Sequence, residues 1–138
     1  MLMLSCELST LRLLIVDDHE LTRLTLQLVF SCQENIEVVG LASNGQEAIE
    51  MVKLWQPDVI VLDLQMPVMD GWSASSHIKA ISPKTQILAY SSVEDVNVYE
   101  TKIMSSFDDV CKKDVSTTEL IALVRKLGQR AGNSSVTG

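Results

Sequence analysis

Three acids, a hydroxyl and an ammonium stand at the downstream ends of short apolar runs. Asp17 and Asp18 follow Leu13-Leu14-Ile15-Val16, Asp63 follows Val59-Ile60-Val61-Leu62, Ser91 follows Ile87-Leu88-Ala89-Tyr90, and Lys113 lies just past Val110-Cys111. If each run is a buried strand of one parallel sheet, these side chains converge on the carboxyl-end edge, where open α/β sheets build their sites. Three crowded carboxylates repel one another unless a cation sits among them. Magnesium takes one or two carboxylates in an octahedral oxygen set and keeps several waters. Asp17, Asp18 and Asp63 therefore read as a magnesium site, with the backbone carbonyl of Gln65 as a further ligand. Beside such an ion Asp63 is a nucleophile of the aspartyl-phosphate kind, Lys113 is a mobile positive charge for the phosphoryl oxygens, and the Ser91 hydroxyl donates to one of them. An Asp pair after a strand is often only a helix cap or a solvated turn. The combination carries the reading, because Asp63, Ser91 and Lys113 follow one another at intervals of one strand-helix unit.

The elements that must position these groups are legible as alternating patterns. A strand over 11–16 leads into an amphipathic helix from about residue 20 to 32, whose Leu21, Leu24 and Leu28 share a face. A second strand covers 36–42. Asn44 with Glu47 three residues on resembles a capping box, and the helix it opens carries Ala48, Ile49, Val52 and Trp55 and stops at Pro57. A third strand over 58–62 is followed by a loop with Pro67, then a helix capped by Asp70, carrying Trp72, Ile78 and Ile81 and ended by Pro83. The fourth strand is 86–90. Val96, Tyr99, Ile103 and Phe107 recur at helical spacing, a short strand follows near 110–112, and Ser116 with Glu119 opens a last helix with Leu120, Leu123, Val124 and Leu127 inward. Five strand-helix units in this order predict right-handed crossovers and a doubly wound α/β sheet with five helices. The small polar residues after Leu127 read as a tail or linker, which divides the chain into an extension (1–10), one domain (11–130) and a tail (131–138).

At 138 residues and 46% hydrophobic content the chain suits one compact domain. Its net charge of −7 disfavours nucleic acid or an anionic membrane as a direct partner and favours a protein. No apolar run reaches membrane-spanning length, and Met1 to Leu4 lacks the features of a signal peptide, so a cytoplasmic location is expected. Cys6, Cys32 and Cys111 form no CxxC pair and read as free thiols, with oxidation of Cys111 near the site a minor possibility. His19 reads as a polar residue of an exposed first turn with the option of touching a phosphodonor, His77 as solvated, and Trp55 and Trp72 as packing residues.

Leu-Ile-Val-Asp-Asp-His-Glu at 14–20, Val-Ile-Val-Leu-Asp-Leu-Gln-Met-Pro-Val-Met-Asp-Gly at 59–71 and Lys-Lys-Asp-Val-Ser at 112–116 together resemble the receiver domain of two-component response regulators, over about residues 11–130. Asp-Asp-His after the first strand, and Lys-Asp in place of Lys-Pro after the fifth, are similar to the NarL/LuxR-type subgroup. The resemblance implies a flavodoxin-like, CheY-like sheet of order 2-1-3-4-5. It also implies Asp63 as phosphoacceptor, Asp17 and Asp18 as the magnesium-holding pair, Ser91 as switch hydroxyl and Lys113 as phosphoryl contact. The implied partner is a sensor histidine kinase, with homodimerisation possible and DNA reached only through a downstream domain outside this stretch. Receivers of this kind catalyse their own phosphoryl transfer and dephosphorylation and are not turnover enzymes. The chain departs from the family pattern at Val110, where an aromatic ring commonly stands, which puts the usual switch coupling in doubt. Lys112 beside Lys113 admits a register one residue off. Four rival readings remain: a stand-alone receiver, a haloacid-dehalogenase-like phosphatase, which needs an acid where Gln65 stands, a flavodoxin-like electron carrier, which needs a phosphate-cradling loop, and a binding-only adaptor.

Overall fold

The computed structural model describes residues 10–66, 68–92 and 107–137, with side chains as far as Ala131. In chain order the elements are β1 (Leu11–Val16), α1 (Glu20–Ser31), β2 (Ile36–Ala42), α2 (Gly45–Trp55), β3 (Val59–Asp63), α3 (Gly71–Ile81), β4 (Gln86–Ser91), β5 (Asp109–Lys112) and α4 (Thr117–Thr137). All pairings are parallel and the five strands lie in the order β2-β1-β3-β4-β5, the flavodoxin-like topology expected from the resemblance. Four α-helices stand among the described residues; the segment with Val96, Tyr99 and Ile103, read as a further helix, lies outside them, as do Cys6 and Pro67.

The strands are nearly continuous apolar runs because both faces of the sheet are covered. Alternate residues feed two cores. Leu14, Val16, Ile60, Leu62, Ile87, Ala89 and Val110 pack with Ala48, Ile49 and Val52 of α2 and Ala74 and Ile78 of α3. Leu13, Ile15, Val59, Val61, Leu88, Tyr90 and Cys111 point the other way, against Leu26 and Phe30 of α1 and Leu120, Val124 and Leu127 of α4.

Local signals set the helix starts. Asn44 accepts the Glu47 N–H at 2.9 Å, and Asp70 accepts that of Ser73 at 2.9 Å. Glu47 bonds back to the N–H and hydroxyl of Ser43 at 2.8 and 2.9 Å, so the reciprocal half of the box falls one residue before the cap. Ser116 Oγ accepts the Glu119 N–H at 3.1 Å, as its spacing predicts. Gln56 ends α2 in the left-handed region at φ 47°, with Pro57 behind it.

The structure qualifies one expectation and corrects another. Leu21, Leu24 and Leu28 share a face, but that face is exposed, at 79%, 49% and 68%; α1 turns Leu26 and Phe30 inward instead. Helical period fixes which residues lie together and leaves open which stripe meets the sheet. The stretch after Leu127 does not become irregular, because α4 runs on to Thr137 and Ala131 is buried. Gly128, the first residue of that stretch, is a point of close approach: a Cβ there runs into Leu11 Cδ1 of β1 and lies 3.8 Å from Val59 Cγ2 of β3. Gly128→Val should therefore lower stability by about 1–3 kcal/mol through overpacking, as measured by urea unfolding, whereas the same change in an irregular tail leaves the midpoint where it is.

Candidate functional site

Strand register brings the polar ends of the runs level. Val16 pairs with Leu62, Asp63 with Tyr90 and Ser91 with Lys112, so Asp17, Asp63, Ser91 and Lys113 meet along one sheet edge. Asp17 is held by its backbone N–H to Ala42 O at 3.0 Å and by Arg23 Nη1, which donates to its carbonyl at 2.7 Å. Gly71 at the start of α3 sits so close to the end of β3 that a Cβ runs into the Asp63 carbonyl, and its N–H donates to Leu64 O at 3.0 Å. Lys113 is anchored by its N–H to Ser91 O at 2.6 Å. Lys112 is exposed, so the register places Lys113, and not its neighbour, at the site.

Lys113 Nζ lies 2.9 Å from Asp17 Oδ2 and 3.4 Å from Asp63 Oδ1, and 5.7 Å from the centroid of the Tyr90 ring. Asp17 Oδ1 accepts the His19 backbone N–H at 2.8 Å, and Asp63 Oδ1 accepts that of Gln65 at 3.3 Å. Gln65 thus enters the site through its N–H. Among the described residues, three buried side-chain oxygens make no hydrogen bond: Asp63 Oδ2, Ser91 Oγ and Asp18 Oδ1, the last with only the His19 imidazole close by, at 3.1 Å. Buried polar atoms are nearly always paired, so three orphans at one edge mark a place prepared for something else.

Burial, then the neighbouring Asp17 carboxylate, push the Asp63 carboxyl up to about 6, against the smaller opposing pull of Lys113 and the Gln65 N–H. Burial works to lower the Lys113 ammonium, but its ion pairs with Asp17 and Asp63 outweigh it and the net displacement is upward. Lys113 stays charged at neutral pH. Burial, with Asp109 and Glu119 nearby, raises the Cys111 thiol to about 12, so it carries almost no thiolate and is a poor target for oxidation.

The sequence reading brought together the acids, Ser91 and Lys113, left His19 open and did not single out Arg23. His19 does not merely occupy an exposed turn: its Nδ1 lies 3.2 Å from Asp17 Oδ1 and 3.1 Å from Asp18 Oδ1. Arg23, one turn further on, binds backbone rather than a carboxylate, and no spacing rule identifies such a contact.

An acidic cluster, a buried lysine between two of its members and a buried hydroxyl, all on the carboxyl edge of a 2-1-3-4-5 sheet, match a known family in sequence as well as in shape. The response regulator receiver domain family matches residues 13–125. This chain belongs to that family. The receiver is 37% identical over 118 residues to the response regulator protein VraR of Staphylococcus aureus, covering 85% of this chain and 56% of the relative, so it spans about half of VraR's length. It is 30% identical to the solved signal receiver domain of a response regulator described as NarL from Mycobacterium tuberculosis, covering 88% of this chain and 98% of that one with a TM-score of 0.80. The receiver of Thermotoga maritima CheB is 28% identical, covering 87% and 97%, with a TM-score of 0.79. The likeness to VraR and NarL agrees with the NarL/LuxR-type reading of Asp-Asp-His and Lys-Asp, and family membership sets aside the phosphatase and electron-carrier alternatives. Where many receivers carry an aromatic, Val110 is buried in the core. The rings in contact on that face are Phe107 and Trp72, with centroids 5.1 Å apart.

Two outcomes follow for the receiver without added metal. An acid whose folded pKa lies above its unfolded value favours the protonated folded state. Its contribution to stability is present below the unfolded value near 3.8 and is lost as pH rises through about 6. Asp63→Asn should then stabilise the metal-free protein at pH 7 by roughly 1–3 kcal/mol and flatten the fall in stability over that window, as read by chemical denaturation across pH. With a thiol reagent followed by peptide mapping, exposed Cys32 should label rapidly and Cys111 only on unfolding; comparable rates for the two contradict the burial argument.

Proposed function

We propose that Asp63 accepts a phosphoryl group from a sensor histidine kinase and that the resulting rearrangement switches a protein contact. The observation that supports this most is the Asp63 carboxylate itself. It is 3% exposed, with Oδ1 engaged and Oδ2 without a hydrogen bond among the described residues. A nucleophile needs a lone pair that nothing else occupies, and Oδ2 has one. In the transfer, Asp63 Oδ2 forms a bond to phosphorus while the bond from phosphorus to the donor histidine nitrogen breaks and its electron pair returns to the imidazole.

The donor set fits a hydrated divalent ion, since three carboxylates converge and two of their buried oxygens lack partners. Asp18 and Asp63 would hold magnesium directly, Asp17 through water, and the Gln65 carbonyl would add a ligand. When bound, magnesium supplies charge neutralisation for the phosphoryl oxygens. The protein's own part is positioning. Lys113, already paired with both Asp17 and Asp63, stabilises the negative charge that arrives on Asp63. Ser91 Oγ, buried and without a partner among the described residues, gains an acceptor when a phosphoryl oxygen appears, which draws the end of β4 toward the site.

The kinship to VraR and NarL supports the receiver as the cytoplasmic input domain of a LuxR-type transcriptional regulator that reaches DNA through a further domain and can dimerise; a stand-alone receiver acting on protein partners is the alternative. No helix among the described residues is long and apolar enough to cross a membrane. The net charge of −7 argues against DNA contact by this region. Incubation with a small phosphodonor and magnesium should add one phosphoryl group, seen by intact-protein mass, and Asp63→Asn should abolish it; undiminished labelling of that variant refutes the assignment.

A further inference from the structure

His19 caps α1 with its backbone alone, and its side chain makes no capping hydrogen bond. The ring folds back over the acidic pair instead, with Nδ1 3.2 Å from Asp17 Oδ1 and 3.1 Å from Asp18 Oδ1. One donor atom each from Asp17, Asp18, His19 and Asp63 lie within 4.8 Å of one another. Neighbouring ligands of an octahedral ion bound at about 2.1–2.2 Å stand roughly 3.0–3.1 Å apart. The imidazole nitrogen is therefore spaced from Asp18 Oδ1, a direct ligand in the reading above, as a cis ligand is, while Asp17 stands beside it in the outer shell. A second observation concerns a member of the same group: Asp63 is 3% exposed, and its buried Oδ2 has no hydrogen-bond partner among the described residues.

Resting on the divalent-ion site above, we propose that His19 Nδ1 is an additional metal ligand, which shifts the preference of the site from magnesium toward manganese and its first-row neighbours. The chemistry is that of the donor set. Magnesium is a hard ion that binds oxygen and sheds water reluctantly, so an imidazole adds little to its affinity. First-row ions accept imidazole readily, and manganese also tolerates carboxylate-rich surroundings. With Nδ1 as ligand the ring carries its proton on Nε2. A simple hydrogen bond from Nδ1 to Asp17 is the competing account, and in that case His19 has no preference among ions.

The variant that tests this leaves the fold alone, because the His19 side chain is 68% exposed and its N–H bond to Asp17 belongs to the backbone. Residues 1–138 as wild type, His19→Ala and Asp18→Asn are titrated with Mn²⁺ and with Mg²⁺ by calorimetry. Bound Mn²⁺ is also examined by pulsed electron paramagnetic resonance for coupling to a ligand nitrogen. His19→Ala should weaken Mn²⁺ by at least about tenfold, the scale on which even outer-shell groups act, and leave Mg²⁺ within about threefold. Nitrogen coupling should be present in the wild type and absent from His19→Ala. Absence of nitrogen coupling in the wild type overturns the inference, as does equal weakening of both ions, which assigns His19 to holding the acids in place. In either case loss of both ions in Asp18→Asn keeps the divalent-ion reading standing. Unchanged binding of both ions in Asp18→Asn overturns that reading and the inference with it.

Discussion

The ammonium of Lys113 between Asp17 and Asp63 is the contact on which the working edge of this sheet depends. Asp17 and Asp63 are almost wholly buried and Asp18 is partly so, and carboxylates removed from water are costly unless paired. One lysine offsets part of that cost, with 2.9 Å to Asp17 and 3.4 Å to Asp63. The remainder shows in the raised Asp63 carboxyl and in the unsatisfied oxygens of Asp18, Asp63 and Ser91. The edge is under-compensated in a directed way: one ammonium serves several buried carboxylates, and the buried Ser91 hydroxyl has no hydrogen-bond partner among the described residues.

The rest of the fold makes that arrangement rigid. Parallel pairing carries β1, β3, β4 and β5 to a common level, and covering both faces anchors each strand through alternate side chains. Small shifts in register or helix seating are then resisted by a close-packed core. Gly71 lets α3 begin directly against the Asp63 backbone, and the Lys113 N–H bond to Ser91 ties the lysine to the strand that carries the hydroxyl. The functional groups thus sit on short extensions of rigid elements.

The opposite edge shows what the same residue types do when one lysine meets one carboxylate. Lys79 Nζ lies 2.8 Å from Asp108 Oδ2 and donates to Thr85 O at 2.6 Å, while Asp108 Oδ2 accepts the Ile87 N–H at 2.7 Å. This clip joins the end of α3 to the segments entering β4 and β5, and its carboxylate Oδ2 is engaged by both cation and backbone. A lysine-aspartate pair is structural there and poised at the carboxyl edge. The difference lies in how many carboxylates each lysine must serve and in how deeply they are buried.

Much of this was legible from residue order. Short apolar runs, three of four residues and one of two, with Asp, Asp, Ser and Lys at their downstream ends determine strands buried on both faces, and strand-helix alternation determines a parallel sheet whose downstream ends meet, so Asp17, Asp18, Asp63, Ser91 and Lys113 were identifiable before any coordinates. Asn44, Asp70 and Ser116 announced their helices because a cap is a contact between near neighbours in sequence. Tertiary structure alone decided matters that hang on which surfaces meet. Leu21, Leu24 and Leu28 have a helical period that is silent about which stripe faces the sheet, and Leu26 and Phe30 took the inner side. Gly128 has the composition of a breaker, and only its approach to Leu11 of β1 shows why a side chain is excluded there. The position of His19 over the acid pair depends on the direction in which α1 leaves β1. Local sequence specifies each segment's own geometry, whereas facing, close approach and convergence arise from packing segments far apart in the chain.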